Sequence, residues 1–229
     1  MTELLFPAPS QPTLPIANDQ RRFPVHRIYC VGRNYAEHVR EMGGTPEKQR
    51  PVFFAKPADA VVESGASLDY PLATADLHHE VELVVALASG GSQLDLAQAQ
   101  ACIAGYAVGV DLTRRDLQHQ AKNAGQPWDT AKGFDQSAPI GALSLAGRWT
   151  PAGQRICLTV GAELRQDGRL DQMILAVPQI IVELSQLFTL APGDLIFTGT
   201  PHGVAALQRG DQVQAEIEGL PPLHFSLRP

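Results

Sequence analysis

Two short apolar runs constrain the fold of this chain most: Glu80 to Leu87 and Ile103 to Val110. Both are rich in β-branched and other apolar side chains, and a polar loop and a probable helix over Leu94 to Ala101 separate them. That makes them strands of a buried sheet. In a strand, the two-residue spacing of Glu80 and Glu82 turns both carboxylates to one face and Val81, Leu83 and Val85 to the other. The second run ends in a third carboxylate, Asp111. Like charges directed into one space call for a cation, and three hard oxygen donors without a nearby thiolate favour Mg²⁺ or Mn²⁺ over zinc. The same alternation also describes a half-buried strand whose carboxylates face solvent.

The rest of the chain adds many strands and few helices. Residues 1–26 contain Pro7, Pro9, Pro12, Pro15 and Pro24, which predicts an extended arm or short strands, with a single catalytic domain over 27–229. Strands are predicted over Ile28 to Val31, Val52 to Phe54, Ile156 to Val160, Leu170 to Leu175, Leu195 to Thr198 and Gln212 to Ile217. Gln166-Asp-Gly168 reads as the turn of a hairpin. Helices are predicted over Tyr35 to Met42, from an N-cap at Thr113 to Asn123, and over Pro178 to Phe188. Without a βαβ rhythm this is an α+β, mainly β fold with mixed sheets. Gly32-Arg33-Asn34 lacks the glycine spacing of a dinucleotide loop, and no phosphate loop occurs elsewhere.

A chain of 229 residues, 44% hydrophobic and 18% charged, has the composition of an ordinary globular protein. Its net charge of −6, with no compensating Lys/Arg block, argues against nucleic acid or an anionic membrane as partner and for a small-molecule substrate. Cys30, Cys102 and Cys157 are odd in number and far apart, as expected of reduced cysteines in a cytoplasmic protein. The N-terminus has no export-type segment and no run approaches a membrane span.

Several polar groups are candidates for chemistry. His38 and Glu41 are three apart and meet on one helical face, where a carboxylate that orients an imidazole makes a general base for water. They follow the loop Gly32-Arg33-Asn34-Tyr35, which is rich in hydrogen-bonding groups. Lys56 and Lys132 stand in apolar or glycine-rich settings, and a buried lysine needs an anion. Arg115 and Gln118 follow Asp111 on the next helix and can face the same cavity. Thr198-Gly-Thr200-Pro-His-Gly203 is a strand entering a turn whose hydroxyls and amides suit a carboxylate.

Taken in order, CVGRNYAEHVREMG, FFAKPADAVV, LHHEVELVV, GYAVGVDLTRRDLQ, PWDTAKGFDQSAPIG and GDLIFTGTPHGV resemble the fumarylacetoacetate hydrolase family, and within it the short acylpyruvate hydrolase branch. The resemblance runs from about Ile28 to Ile217. It implies a β-roll of mixed, coiled sheets with a few short helices, and a homodimer. It also implies that Glu80, Glu82 and Asp111 bind Mg²⁺ or Mn²⁺, that His38 and Glu41 activate water, and that Lys132 and Gln118 contact substrate or its oxyanion. Arg33, Tyr35, Lys56, Arg115 and Thr200 are the expected substrate contacts, with Arg33, Arg115 or Lys56 placed to meet a distal carboxylate.

The expected reaction is hydrolysis of a 2,4-dioxo acid at its C3–C4 bond. Fumarylpyruvate, in gentisate-type aromatic degradation, is the leading substrate. Oxaloacetate decarboxylation or tautomerisation at the same site is the rival, and a non-catalytic metal-stabilised binding protein is a third reading. Fold resemblance alone does not choose among them.

Overall fold

The computed structural model describes residues 4–45 and 51–229, so residues 1–3 of the expected arm lie outside the described residues. An eight-stranded mixed sheet forms the centre. Its path runs Val52–Lys56, Ile28–Gly32, Leu195–Phe197, Val81–Leu87, Ile103–Val110, Ala138–Ile140 and Val61–Glu63, and Ser144–Leu145 pairs beside it on Ile103–Val110. Leu195–Phe197 lies parallel to Ile28–Gly32 and antiparallel to Val81–Leu87. A five-stranded sheet follows the order Glu163–Arg169, Arg155–Val160, Gln212–Ile217, Leu223–Leu227, Ala66–Leu68. Five helices occur among the described residues: α1 (Ala36–Glu41), α2 (Leu96–Ala101), α3 (Arg115–Ala124), α4 (Asp129–Lys132) and α5 (Val177–Leu187). None is long and apolar enough to cross a membrane.

The central sheet is buried on both faces because its strands carry apolar side chains on both. Val81, Leu83, Val85, Val108 and Val110 enter one core with the five-stranded sheet and α5. Val84, Ala86, Ala107, Leu195 and Phe197 enter a second core. The N-terminal strands Thr13–Pro15 and Arg22–Pro24 pair with each other, and Leu14, Phe23 and Val25 help to build that second core. Cys30, Cys102 and Cys157 are buried free thiols.

Three local expectations are corrected. Gln166-Asp167-Gly168 is inside the Glu163–Arg169 strand, and the hairpin turns instead at Gly161, whose φ of 57° suits glycine. Leu170 to Leu175 is not a strand but begins with a short 3₁₀ turn over Leu170–Gln172. Thr113 does not cap α3: Thr113–Arg114 pairs with Leu77–His79, and the helix starts at Arg115 without a side-chain cap. A β-bridge thus holds the segment between Asp111 and α3 extended, and this directs the first turn of α3 back toward the carboxylates.

Candidate active site

The strand register brings the three carboxylates together. Val81 pairs with Val110 and Glu82 with Gly109, and the ladder continues one step further through Asp111 N–H to Glu80 O at 2.8 Å. Glu80 and Asp111 are therefore cross-strand neighbours, with Glu82 two residues along the same face. A Cβ on Gly109 would lie 2.5 Å from Val84 Cγ2 and 2.8 Å from Phe197 Cε1, so no side chain fits opposite Glu82. One ligand atom from each carboxylate lies within 4.8 Å of the others, and all three residues are buried. The solvent-facing alternative for this strand is excluded.

Cations and backbone donors hold these carboxylates. Lys132 Nζ, at the end of α4, donates to Glu80 Oε2 at 2.8 Å, Asp111 Oδ2 at 2.6 Å and Thr113 Oγ1 at 2.6 Å. Arg115 pairs with the other Glu80 oxygen and donates to Gln118 Oε1 at 2.6 Å. Burial alone would raise the Glu80 pKa, but Lys132 and Arg115 outweigh it and hold the group well below the usual range. Glu82 behaves oppositely. Burial, then the charges of Asp111 and Glu80, push its carboxyl well above the ordinary value, and its hydrogen-bond donor is Gly199 N–H at 2.6 Å. Gly199 has φ of 99°, and a Cβ there would sit 2.8 Å from Asn34 Cβ, so glycine is what lets this amide approach Glu82.

The donor set fits a hard divalent cation. Asp111 Oδ1 is buried without a hydrogen-bond donor, although Lys56 Nζ lies 2.8 Å away as an ion pair. Glu82 retains a strong cause to share positive charge. The three residues offer only oxygen, the preference of Mg²⁺ and Mn²⁺.

Opposite the triad stands α1. His38 Nδ1 meets Glu41 Oε2 at 3.0 Å, and Gly203 N–H donates to Glu41 Oε1 at 3.0 Å, which ties the dyad to the 198–203 turn. Burial works to raise the Glu41 pKa, yet the hydrogen bonds from His38 and Gly203 leave it below the ordinary value. His38, Glu80, Glu82 and Asp111 line one cleft of about 130 Å³. Arg33, Arg115, Gln118, Lys132 and Thr200 line it as well.

Three expected residues stand outside that lining. Glu41 is behind His38. The Lys56 side chain is fully buried and donates to the carbonyls of Leu112, at 3.2 Å, and Lys132. Tyr35 borders a separate cavity with Pro201 and His202, and its buried hydroxyl has no hydrogen-bond partner. Sequence reasoning missed Lys122, Phe54 and Trp128, which also line the cleft. For Lys122 a signal was present, since it follows Arg115 and Gln118 at helical spacing. Gln166, missed too, is fully buried and links Val81 N–H, His79 and Thr200 behind the triad.

A mainly β roll of mixed sheets, with a buried carboxylate triad facing a His–Glu pair across one cleft, defines the class as an enzyme with a cation-binding centre. The family model for the fumarylacetoacetate (FAA) hydrolase C-terminal region matches residues 27–228, and the chain belongs to this family. It is similar to the fumarylpyruvate hydrolase of Pseudomonas aeruginosa, solved with Mn²⁺ and pyruvate, at 46% identity and a TM-score of 0.95 over 99% of both chains. The mitochondrial oxaloacetate tautomerase of Mus musculus is 42% identical over 88% of this chain and 91% of its own length. An oxaloacetate tautomerase of Escherichia coli is 40% identical over 86% and 90% respectively.

Proposed function

We propose that this protein is a Mg²⁺- or Mn²⁺-dependent acylpyruvate hydrolase that converts fumarylpyruvate and water to fumarate and pyruvate. The observation that carries this reading is the His38–Glu41 pair facing the Glu80, Glu82 and Asp111 triad across one cleft. Similarity to the fumarylpyruvate hydrolase extends along essentially the whole chain, N-terminal strands included. A homodimer and a cytoplasmic role in gentisate-type degradation accompany the proposal.

Glu80, Glu82 and Asp111 would hold the cation, which when bound polarises the keto oxygen of the pyruvate half. Glu41 fixes Nδ1 of His38 and leaves Nε2 to take a proton from water. The hydroxide equivalent adds to C4, and Gln118, whose Oε1 accepts from Arg115, offers its amide N–H to the oxygen that becomes negative, with the positive charge of Lys132 in the same cleft. The C3–C4 bond then breaks with its electron pair on C3, which takes back the proton from His38. The products are one carboxylic acid and pyruvate, with water consumed.

Oxygen-labelled water tests the reaction type. Fumarate released with one labelled carboxylate oxygen, together with an equal amount of pyruvate, is the expected result. No label and no fumarate would overturn hydrolysis. Similarity to two oxaloacetate tautomerases supports the second reading, in which His38 would move a proton between C3 and the C2 oxygen without adding water.

A further inference from the structure

The cleft contains more positive charge than its carboxylates use. Arg115 is committed to Glu80, Gln118 and His78, and Lys132 to Glu80, Asp111 and Thr113. Lys56 is sealed behind Asp111. Arg33 and Lys122 also line the cleft, and among the described residues neither has a carboxylate partner. Arg33 is held at φ of 68°, a conformation uncommon for a residue with a side chain.

Two aromatic rings, Phe54 and Trp128, line the same cleft between Lys132 and Lys122. Lys132 Nζ is 5.0 Å from the centre of the Phe54 ring, and the Phe54 and Trp128 rings are 5.8 Å apart. Lys122 Nζ then lies 5.1 Å from the centre of the Trp128 ring. A Cβ on Gly32, the neighbour of Arg33, would lie 3.6 Å from Trp128 Cζ3, so the Arg33 loop meets these rings at the same tryptophan. Contacts thus run from Lys132 through Phe54 and Trp128 to Lys122. A flat unsaturated chain matches the aromatic stretch, and a negative group matches its far end.

We propose that Lys122, with Arg33 beside it across Trp128, binds the distal carboxylate of the acyl group and makes the enzyme selective for acylpyruvates that end in a carboxylate. This assignment rests on the acylpyruvate reading and replaces Lys56 and Arg115 as the expected distal contacts. Partial burial of the Lys122 ammonium beside Arg115 and Arg33, with the charge of Glu80 as the opposing influence and no carboxylate paired with it among the described residues, fits a site that receives its counter-ion from the substrate.

Steady-state kinetics of Lys122→Met and Lys122→Arg with Mn²⁺ test the proposal, on fumarylpyruvate and on acetylpyruvate, whose acyl group is neutral. Loss of a charge-assisted contact predicts a fall in kcat/KM of roughly 10- to 100-fold for Lys122→Met on fumarylpyruvate. Acetylpyruvate should change by about twofold or less, and Lys122→Arg should recover most of the loss. An equal fall on both substrates would assign Lys122 to the shared pyruvate half, and no fall on either would make it idle. Both results overturn the proposal. Failure of the wild-type enzyme to cleave either compound would instead overturn the acylpyruvate reading, and this proposal with it.

Discussion

Glu82→Gln in metal-free protein gives a prediction that separates the triad's electrostatics from its chemistry. Glu82 is buried beside Asp111 and Glu80, and its carboxyl is pushed well above the usual glutamate range. The folded chain therefore keeps this proton at pH values where the unfolded chain has released it. Stability contributed by the neutral form is present below the unfolded pKa, about 4.3, and is lost as pH rises toward the folded value. Within that window the slope is about 1.4 kcal/mol per pH unit, or roughly 3–6 °C in Tm for a domain of this size. Glutamine is isosteric, its carbonyl can still accept the Gly199 N–H, and it removes the proton from the balance. In EDTA the difference in Tm between Glu82→Gln and wild type should grow in favour of the variant as pH rises from mildly acidic to neutral. Added Mn²⁺ should reverse the order. At a hundredfold excess over Kd the cation stabilises the wild type by about 2.7 kcal/mol, or roughly 5–11 °C, and should do far less for the variant. Thermal unfolding followed by circular dichroism measures both. A variant less stable than wild type in EDTA at neutral pH, or one stabilised equally by Mn²⁺, would refute the reasoning.

Other expected outcomes follow from the same geometry. His38→Ala should spare Mn²⁺ affinity, measured by calorimetry, and lower kcat by roughly two to four orders of magnitude; equal loss of both would make His38 structural. Desolvation and then the charge of Arg115 pull the Lys122 pKa down to about 8. The wild-type kcat/KM for fumarylpyruvate should thus fall above about that pH as the ammonium loses its proton, while the Lys122→Arg profile stays flatter there. Asn34→Ala removes hydrogen bonds from Asn34 Nδ2 to the carbonyls of Thr198 and Leu175 and one from Leu175 N–H to Oδ1. It should cost roughly 2–4 kcal/mol, read as a lower urea midpoint with an unchanged slope.

Features set by local patterning were legible in the sequence. The Ile103–Val110 and Gln212–Ile217 strands have their predicted bounds because apolar runs and strict alternation mark them directly. Glu80, Glu82 and Asp111 could be paired because two strands with a period of two leave few ways to arrange them. Elements that depend on distant partners were not legible. Gln166-Asp-Gly168 has turn composition, yet pairing with Arg155–Val160 keeps it extended, with an irregular register between Leu158 and Thr159. Thr113 looks like a helix cap until Leu77–His79 claims it. The division of the cations was equally hidden. Lys56 and Lys132 both stand beside apolar residues, and only the fold shows that one is sealed in the core and the other spans two carboxylates. Lys122 shares the helical spacing of Arg115 and Gln118, but its contact with the Trp128 ring comes from a separate segment of the chain.

The His38–Glu41 pair and the triad are proposed to serve addition of water to an acylpyruvate. The ratio of kcat/KM for fumarylpyruvate to that for oxaloacetate, measured on one preparation with Mn²⁺, tests it most directly. A ratio well above one is expected, with activity on both substrates abolished by EDTA. A preference for oxaloacetate by orders of magnitude would contradict it and assign the same residues to proton transfer without hydrolysis.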